Sequence, residues 1–99
     1  MYKILIEVHY KMKRGMRDAF LREVMPYADM SRGENGNISY NYYLNPNDDD
    51  ELLLIEKWRD DEILSTHFSA DHFVQIGHIK EKYVEDTVVT KHYVNDTPF

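Results

Sequence analysis

The sequence of 99 residues predicts a single α+β domain, residues 1–99, with the element order β-α-β-β-α-β. Three observations carry that prediction. Residues 3–12 alternate apolar and polar positions, the period of a half-buried strand. From Met16 the apolar positions recur at helical spacing instead. Further on, the polar loop Asn45-Pro46-Asn47-Asp48-Asp49-Asp50 separates two strand-like runs, as the turn of a hairpin does.

In the first strand Ile4, Ile6, Val8, Tyr10 and Met12 share one face, and Leu5, Glu7 and His9 share the other. Lys13-Arg14-Gly15 punctuates it. Met16, Ala19, Phe20, Val24, Tyr27 and Ala28 then form a helical stripe, with Arg17, Asp18, Arg22 and Glu23 mostly outside it. Pro26 lies within the stripe and predicts a kink or a weakened middle, because it has no N–H and its ring crowds the preceding turn. Arg32-Gly33-Glu34-Asn35-Gly36-Asn37 is a turn cluster that ends the helix.

Residues 38–44 set Ile38, Tyr40, Tyr42 and Leu44 against Ser39, Asn41 and Tyr43. The run 51–58 pairs with them, and its centre, 52–55, is apolar on both faces, so neither face is suited to water. The acidic loop between them is expected to be solvated, since its carboxylates lack the spacing of a calcium loop. Asp60-Asp61-Glu62 places acid where a helix dipole favours it, and Ile63, Leu64, His67 and Phe68 follow at helical spacing. Ser69-Ala70-Asp71 interrupts. Phe73, Ile76, Ile79, Lys80 and Tyr83 continue a second helical stretch. Residues 84–94 close the chain as a strand, with Val88, Thr90, His92 and Val94 on one side and Thr87, Val89, Lys91 and Tyr93 on the other.

Right-handed crossovers turn this order into a ferredoxin-like sandwich, with both helical segments on one face of a four-stranded antiparallel sheet. Leu5, Leu53, Ile55 and Val89 are then expected on the uncovered face. An apolar sheet face of that size predicts a two-fold homodimer, sheet against sheet.

Composition narrows the function. A net charge of −6 and a pI near 5.2 argue against nucleic acid and anionic membrane surfaces as partners. The absence of Cys excludes thiolate catalysis and thiolate metal sites. The apolar run at the N-terminus is too short for a signal peptide, and no stretch approaches the roughly 20 apolar residues of a membrane span. A cytoplasmic location is the expectation. The four glycines, Gly15, Gly33, Gly36 and Gly77, form no dinucleotide loop, so no cofactor is expected, and no metal. Eight Tyr, four Phe and one Trp suit a core, a pocket or an interface alike.

Several stretches together resemble the antibiotic biosynthesis monooxygenase superfamily of small proteins that form dimeric α+β barrels. They are Phe20-Leu21-Arg22 through Pro26, Glu34-Asn35-Gly36-Asn37 before a Tyr-rich strand, Asn45-Pro46, Leu54-Ile55-Glu56-Lys57-Trp58, and His67 with Ser69 and His72-Phe73. The resemblance implies the same fold, a homodimer and a pocket between sheet and helices. It also implies oxidation of quinols or polyketide aromatics by O₂ without metal or flavin. One branch of the superfamily binds and degrades haem. It has an Asn in the first strand, where this chain has Val8, and a second Trp where this chain has His67; His78 falls near its axial-ligand position without the surrounding pattern. The polyketide-oxidising branch carries an Asn where this chain has Leu54. A third branch, which processes a phosphorylated autoinducer-2 derivative, resembles this chain around Glu7 and in its helical His pair.

Two residues are candidates for catalysis. His67 is a candidate general base, because an imidazole deprotonates a phenol or enol near neutral pH and the anion then passes an electron to O₂ readily. Glu56 is a candidate pocket acid, a role that requires burial to raise its pKa. Trp58, Phe68, His72, Tyr40 and Tyr42 are candidate substrate contacts. Structural roles stand beside each: core packing for Trp58, an ion pair for Glu56, a satisfied core imidazole for His67, a helix cap for His72, and cross-strand packing for the tyrosines. A zinc site from His67, His72 and His78 is disfavoured, since spacings of five and six do not stack on one helical face. The expected function is cofactor-independent monooxygenation of a small quinol-like or polyphenolic substrate. The alternatives are an isomerase or related enzyme for a small dicarbonyl metabolite, and a non-catalytic, stress-associated dimeric ligand-binding module.

Overall fold

The computed structural model describes residues 2–95. Its elements are β1 (Lys3–Met12), α1 (Arg17–Arg32), β2 (Asn37–Leu44), β3 (Glu51–Trp58), α2 (Asp61–Phe68), α3 (Asp71–Tyr83) and β4 (Val84–Val94). The strands form one antiparallel sheet in the order β2-β3-β1-β4, the ferredoxin-like arrangement. Among the described residues no helix is long and apolar enough to cross a membrane.

The alternation of β1 buries Ile4, Ile6, Val8, Tyr10 and Met12 under the helices. On α1, Phe20, Val24, Ala28 and Ser31 are buried at helical spacing and meet that face. The helix runs through Pro26. Pro26 and Arg22 are both exposed. The carbonyl that loses its N–H partner is therefore on the solvent side, where water can satisfy it.

The acidic loop is tied down rather than freely solvated. Asp48 pairs with Lys11 at 2.9 Å and its carbonyl accepts from Arg17, while Asp50 accepts from the Gly15 amide at 2.9 Å. The loop thus clasps the end of β1 to the start of α1. At the other end of the molecule, Asp60 caps α2 by accepting from the Ile63 amide at 2.9 Å. α2 ends at Ser69, whose amide and that of Ala70 bond back to Thr66 and His67, and α3 starts afresh.

One face assignment changes. Val89 pairs with Val8, and paired residues of an antiparallel sheet point the same way. Val89 therefore lies on the helix side, beyond the helical cover and exposed. Val88, paired with His9, joins Leu5, Leu53 and Ile55 on the open face. Alternation within a strand sets only its two faces; the register with β1 decides which of them is open. Leu5, Leu53 and Ile55 are half-buried, and Glu7 pairs with His92 at 2.9 Å among them.

Candidate active site

Leu52, Leu54, Glu56 and Trp58 are the buried, helix-facing residues of β3, and Glu56 is the one ionisable group among them. Two residues apart on a strand, Glu56 and Trp58 share a face, and the indole Nε1–H donates to Glu56 Oε1 at 3.0 Å. Trp58 is wholly buried and packs against the His67 ring with centroids 4.5 Å apart. His67, 1% exposed on α2, places Nε2 3.9 Å from Glu56 Oε1. Its other nitrogen, Nδ1, is 2.5 Å from Glu34 Oε2, and the same oxygen is 3.0 Å from His72 Nε2 at the start of α3. A polar chain therefore runs Trp58–Glu56, then His67–Glu34–His72, from the core toward the surface.

Glu34 reaches this position from the turn between α1 and β2. Gly36 makes that turn at φ +88°, and a Cβ there would come within 2.7 Å of the Ile63 side chain. Only glycine supplies both the backbone angle and the room.

Between the sheet and α3 lies a cavity of about 240 Å³. Glu56 and Tyr40 line its interior, Phe68 and Phe73 form an exposed aromatic rim, and Tyr10 and Lys80 complete the wall. The Lys80 ammonium sits 5.3 Å from the centre of the Tyr10 ring. A larger and shallower depression of about 440 Å³ lies near Pro46 and includes the open-face residues His9, Tyr43 and Val88. It contains no buried ionisable carboxyl, so the smaller cavity is the better candidate for chemistry.

Burial pushes the Glu56 carboxyl up to about 7; the charge of Glu34 adds to this, while the Trp58 N–H and Lys80 oppose it. Burial pulls His67 below the usual imidazole value against the hydrogen bond and charge of Glu34. Lys80 is lowered by burial, with Glu56 opposing. Tyr10 and Tyr40 are raised well above the usual phenol by burial and so stay protonated donors.

Of the residues singled out in the sequence, Glu56, Tyr40 and Phe68 line the cavity. His67 does not; it stands behind Glu56. Trp58 packs and donates rather than forming a wall, and Tyr42 packs on Phe20 and Tyr40 at ring separations of 6.2 and 6.0 Å. His72 meets Glu34, not the cavity. Glu34, Tyr10, Phe73 and Lys80 were not among the predicted site residues. In the sequence Glu34 carries no signal beyond its turn cluster and the resemblance of that stretch. The other three carry apolar or amphipathic stripes, and only the cavity distinguishes them from core positions. Continuous helical spacing, which disfavours a zinc site from His67, His72 and His78, does not hold for the first two: the chain breaks between α2 and α3, which resets the rotation and brings the two rings to 5.9 Å. His78 is exposed and stands outside this group. Among the described residues, Glu34, His67 and His72 are the group with metal-ligand chemistry, their donor atoms all within 4.8 Å of one another.

Residues 3–78 match the family model described as antibiotic biosynthesis monooxygenase, a span that takes in Glu34, Glu56, His67 and His72. YcnE of Bacillus subtilis (strain 168), a protein proposed to be a monooxygenase, is 29% identical over 70 residues, or 71% of this chain and 74% of YcnE. The uncharacterized protein sll1783 of Synechocystis is 30% identical over 70 residues, which cover 71% of this chain but only 48% of sll1783. Two solved structures share the fold. A conserved protein from Methanosarcina mazei Go1 has a TM-score of 0.88 at 21% identity, over 96% of this chain and 95% of that one. PA3566 from Pseudomonas aeruginosa has a TM-score of 0.87 at 23% identity, over 97% of each chain.

Proposed function

We infer that this chain, which belongs to the antibiotic biosynthesis monooxygenase family, oxidises a small single-ring quinol or polyphenol with O₂ and without a cofactor. The observation that carries the reading is a buried carboxyl, Glu56, opening onto an aromatic-rimmed cavity with His67 behind it. A cavity of about 240 Å³ suits one substituted ring; apolar cavities of roughly 150 Å³ already hold benzene.

Glu56 is the catalytic residue in this reading. Ionised, it takes a phenolic proton from the ring. Tyr10 and Tyr40 offer neutral O–H donors to ring oxygens, and the Lys80 charge favours the anion that results. His67 is a positioning residue, packed behind Glu56 with Nε2 3.9 Å from Oε1, where its lone pair can take up the Glu56 proton in turn. The quinol anion gives an electron to O₂, and the radical pair recombines at a ring carbon. The hydroperoxide then loses water. The balance closes without a reductant: hydroquinone plus O₂ yields hydroxyquinone plus water, the ring supplying all four electrons.

The working unit in this reading is a homodimer joined through Leu5, Leu53, Ile55 and Val88. Burying such side chains fully is worth up to roughly 1.5–3 kcal/mol each.

Oxygen uptake with simple hydroquinones on metal-stripped protein tests the function. The expected result is one O₂ consumed for each ring oxidised, with Glu56→Gln strongly impaired. Conversion of a small dicarbonyl with no oxygen uptake would replace the oxygenase by an isomerase. Saturable binding with no turnover of either class would leave a ligand-binding module.

A further inference from the structure

We propose that Glu34, His67 and His72 form a binding site for a divalent transition metal of the zinc type. The three donors come from three separate elements: the turn after α1, the last turn of α2 and the first turn of α3. Nothing in their sequence spacing brings them together. The fold does, by the Gly36 turn on one side and the break at Ser69-Ala70 on the other. Two imidazoles and one carboxylate are the ligand set of many zinc sites with an open position, and their donor atoms already lie within 4.8 Å of one another.

Without a metal, one oxygen of Glu34 accepts from both rings, at 2.5 Å from His67 Nδ1 and 3.0 Å from His72 Nε2. A cation replaces those two N–H protons. Neutral imidazoles accommodate this by moving each proton to the other nitrogen. For His67 that nitrogen is Nε2, which faces Glu56 Oε1 at 3.9 Å, and Glu56 is itself held by the Trp58 N–H. A ligating histidine whose second nitrogen points at an anchored carboxylate is the usual outer-shell arrangement of zinc sites. Charge also agrees. Glu34 and Glu56 together offset a dication, and the chain as a whole carries −6. Access is from the surface, since the Glu34 and His72 side chains are each 15% exposed while His67 is closed off. Nitrogen donors favour zinc and cobalt over magnesium and calcium, which take oxygen.

The site does not depend on the oxygenase reading, and its test needs no substrate. Metal-stripped protein is titrated with Zn²⁺ and with Co²⁺, followed by calorimetry and absorption. One ion per chain is expected, with Co²⁺ showing the ligand-field bands of a four- or five-coordinate ion, and Mg²⁺ not binding. His72→Ala and Glu34→Gln should each abolish stoichiometric binding. Glu56→Gln should weaken it by roughly 10–100-fold, the usual effect of losing an outer-shell partner. A His–carboxylate pair away from the site, His92 with Glu7 on the open sheet face, is the control, and His92→Ala should leave affinity unchanged. Should a site variant unfold, the imidazole resonances of the unmodified chain decide. Zinc should shift those of His67 and His72 and leave those of His9, His78 and His92 in place. No stoichiometric binding, binding that survives His72→Ala, or binding lost in His92→Ala would overturn the proposal.

Discussion

The Trp58 indole donates its only N–H to the Glu56 carboxylate at 3.0 Å, and both groups are buried. The bond stabilises the ionised form of Glu56, which burial disfavours. Trp58→Phe keeps most of the ring but removes the donor. The expected result is a loss of roughly 1.5–3 kcal/mol at high pH, where Glu56 is charged, and a smaller loss at low pH. Denaturant melts at both pH values check this. Trp58→Ala removes the donor as well and adds a cavity, which should cost roughly 3–5 kcal/mol even at low pH, where the hydrogen bond matters less. Equal losses for Trp58→Phe across the range would mean that the indole serves packing alone.

Glu56 makes stability depend on pH in an unusual direction. Its folded value, about 7, lies above the ordinary 4.5. Between those values the native state keeps a proton that the unfolded chain has released, so stability falls as pH rises from about 4.5 to 7 and levels off above. A difference of that size is worth roughly 3 kcal/mol. His67 works the other way, since its lowered value makes the native state lose stability as pH falls below the ordinary imidazole range. The comparison of the unmodified chain with Glu56→Gln isolates the carboxyl. Glu56→Gln should gain relative stability as pH rises, measured by melts from pH 4 to 9. In the same variant turnover should fall by roughly 10²–10⁴-fold. In the unmodified chain the rate should rise with pH through about 7, since only the carboxylate accepts a proton. A rate independent of pH across this window would remove Glu56 from the chemistry.

The fold was legible because its signals are local. The alternation of residues 3–12, the stripe from Met16, the hairpin loop and the interruption at Ser69-Ala70-Asp71 each follow from residues close in sequence. The site was legible in part, and the part that was missed depends on distant contacts. Nothing near Glu34 marks it as the partner of two histidines more than thirty residues away. Whether His67 or Glu56 meets the cavity depends on how α2 sits over β3, which no periodicity encodes. The parity of β4 likewise waits on its register with β1.

Gly36 offers a test of how firmly Glu34 is placed. Gly36→Ala forces a side chain onto a backbone at φ +88° and into Ile63 at 2.7 Å. The conformational cost alone is about 1–2 kcal/mol, and the clash adds to it. Gly36→Ala should lower the melting temperature and displace Glu34 from His67. Adding Ile63→Ala should relieve the clash but not the backbone cost, recovering only part of the loss. Full recovery in the double variant would show that the backbone angle is not constrained.

The open sheet face makes a prediction that two adjacent residues can separate. Val88 lies on that face with Leu5, Leu53 and Ile55, while Val89 points to the helix side and lines the cavity. If two sheets pack face to face, a charge on this face must be buried without a partner, at a cost of several kcal/mol. Ile55→Glu should therefore dissociate or unfold the protein, and Val88→Glu should weaken the dimer in sedimentation experiments. Val89→Glu should leave the dimer intact and impair ligand binding in the cavity instead. A well-folded monomer for the unmodified chain would rule out the assembly. Dissociation by Val89→Glu but not Val88→Glu would place the interface on the opposite side of the sheet.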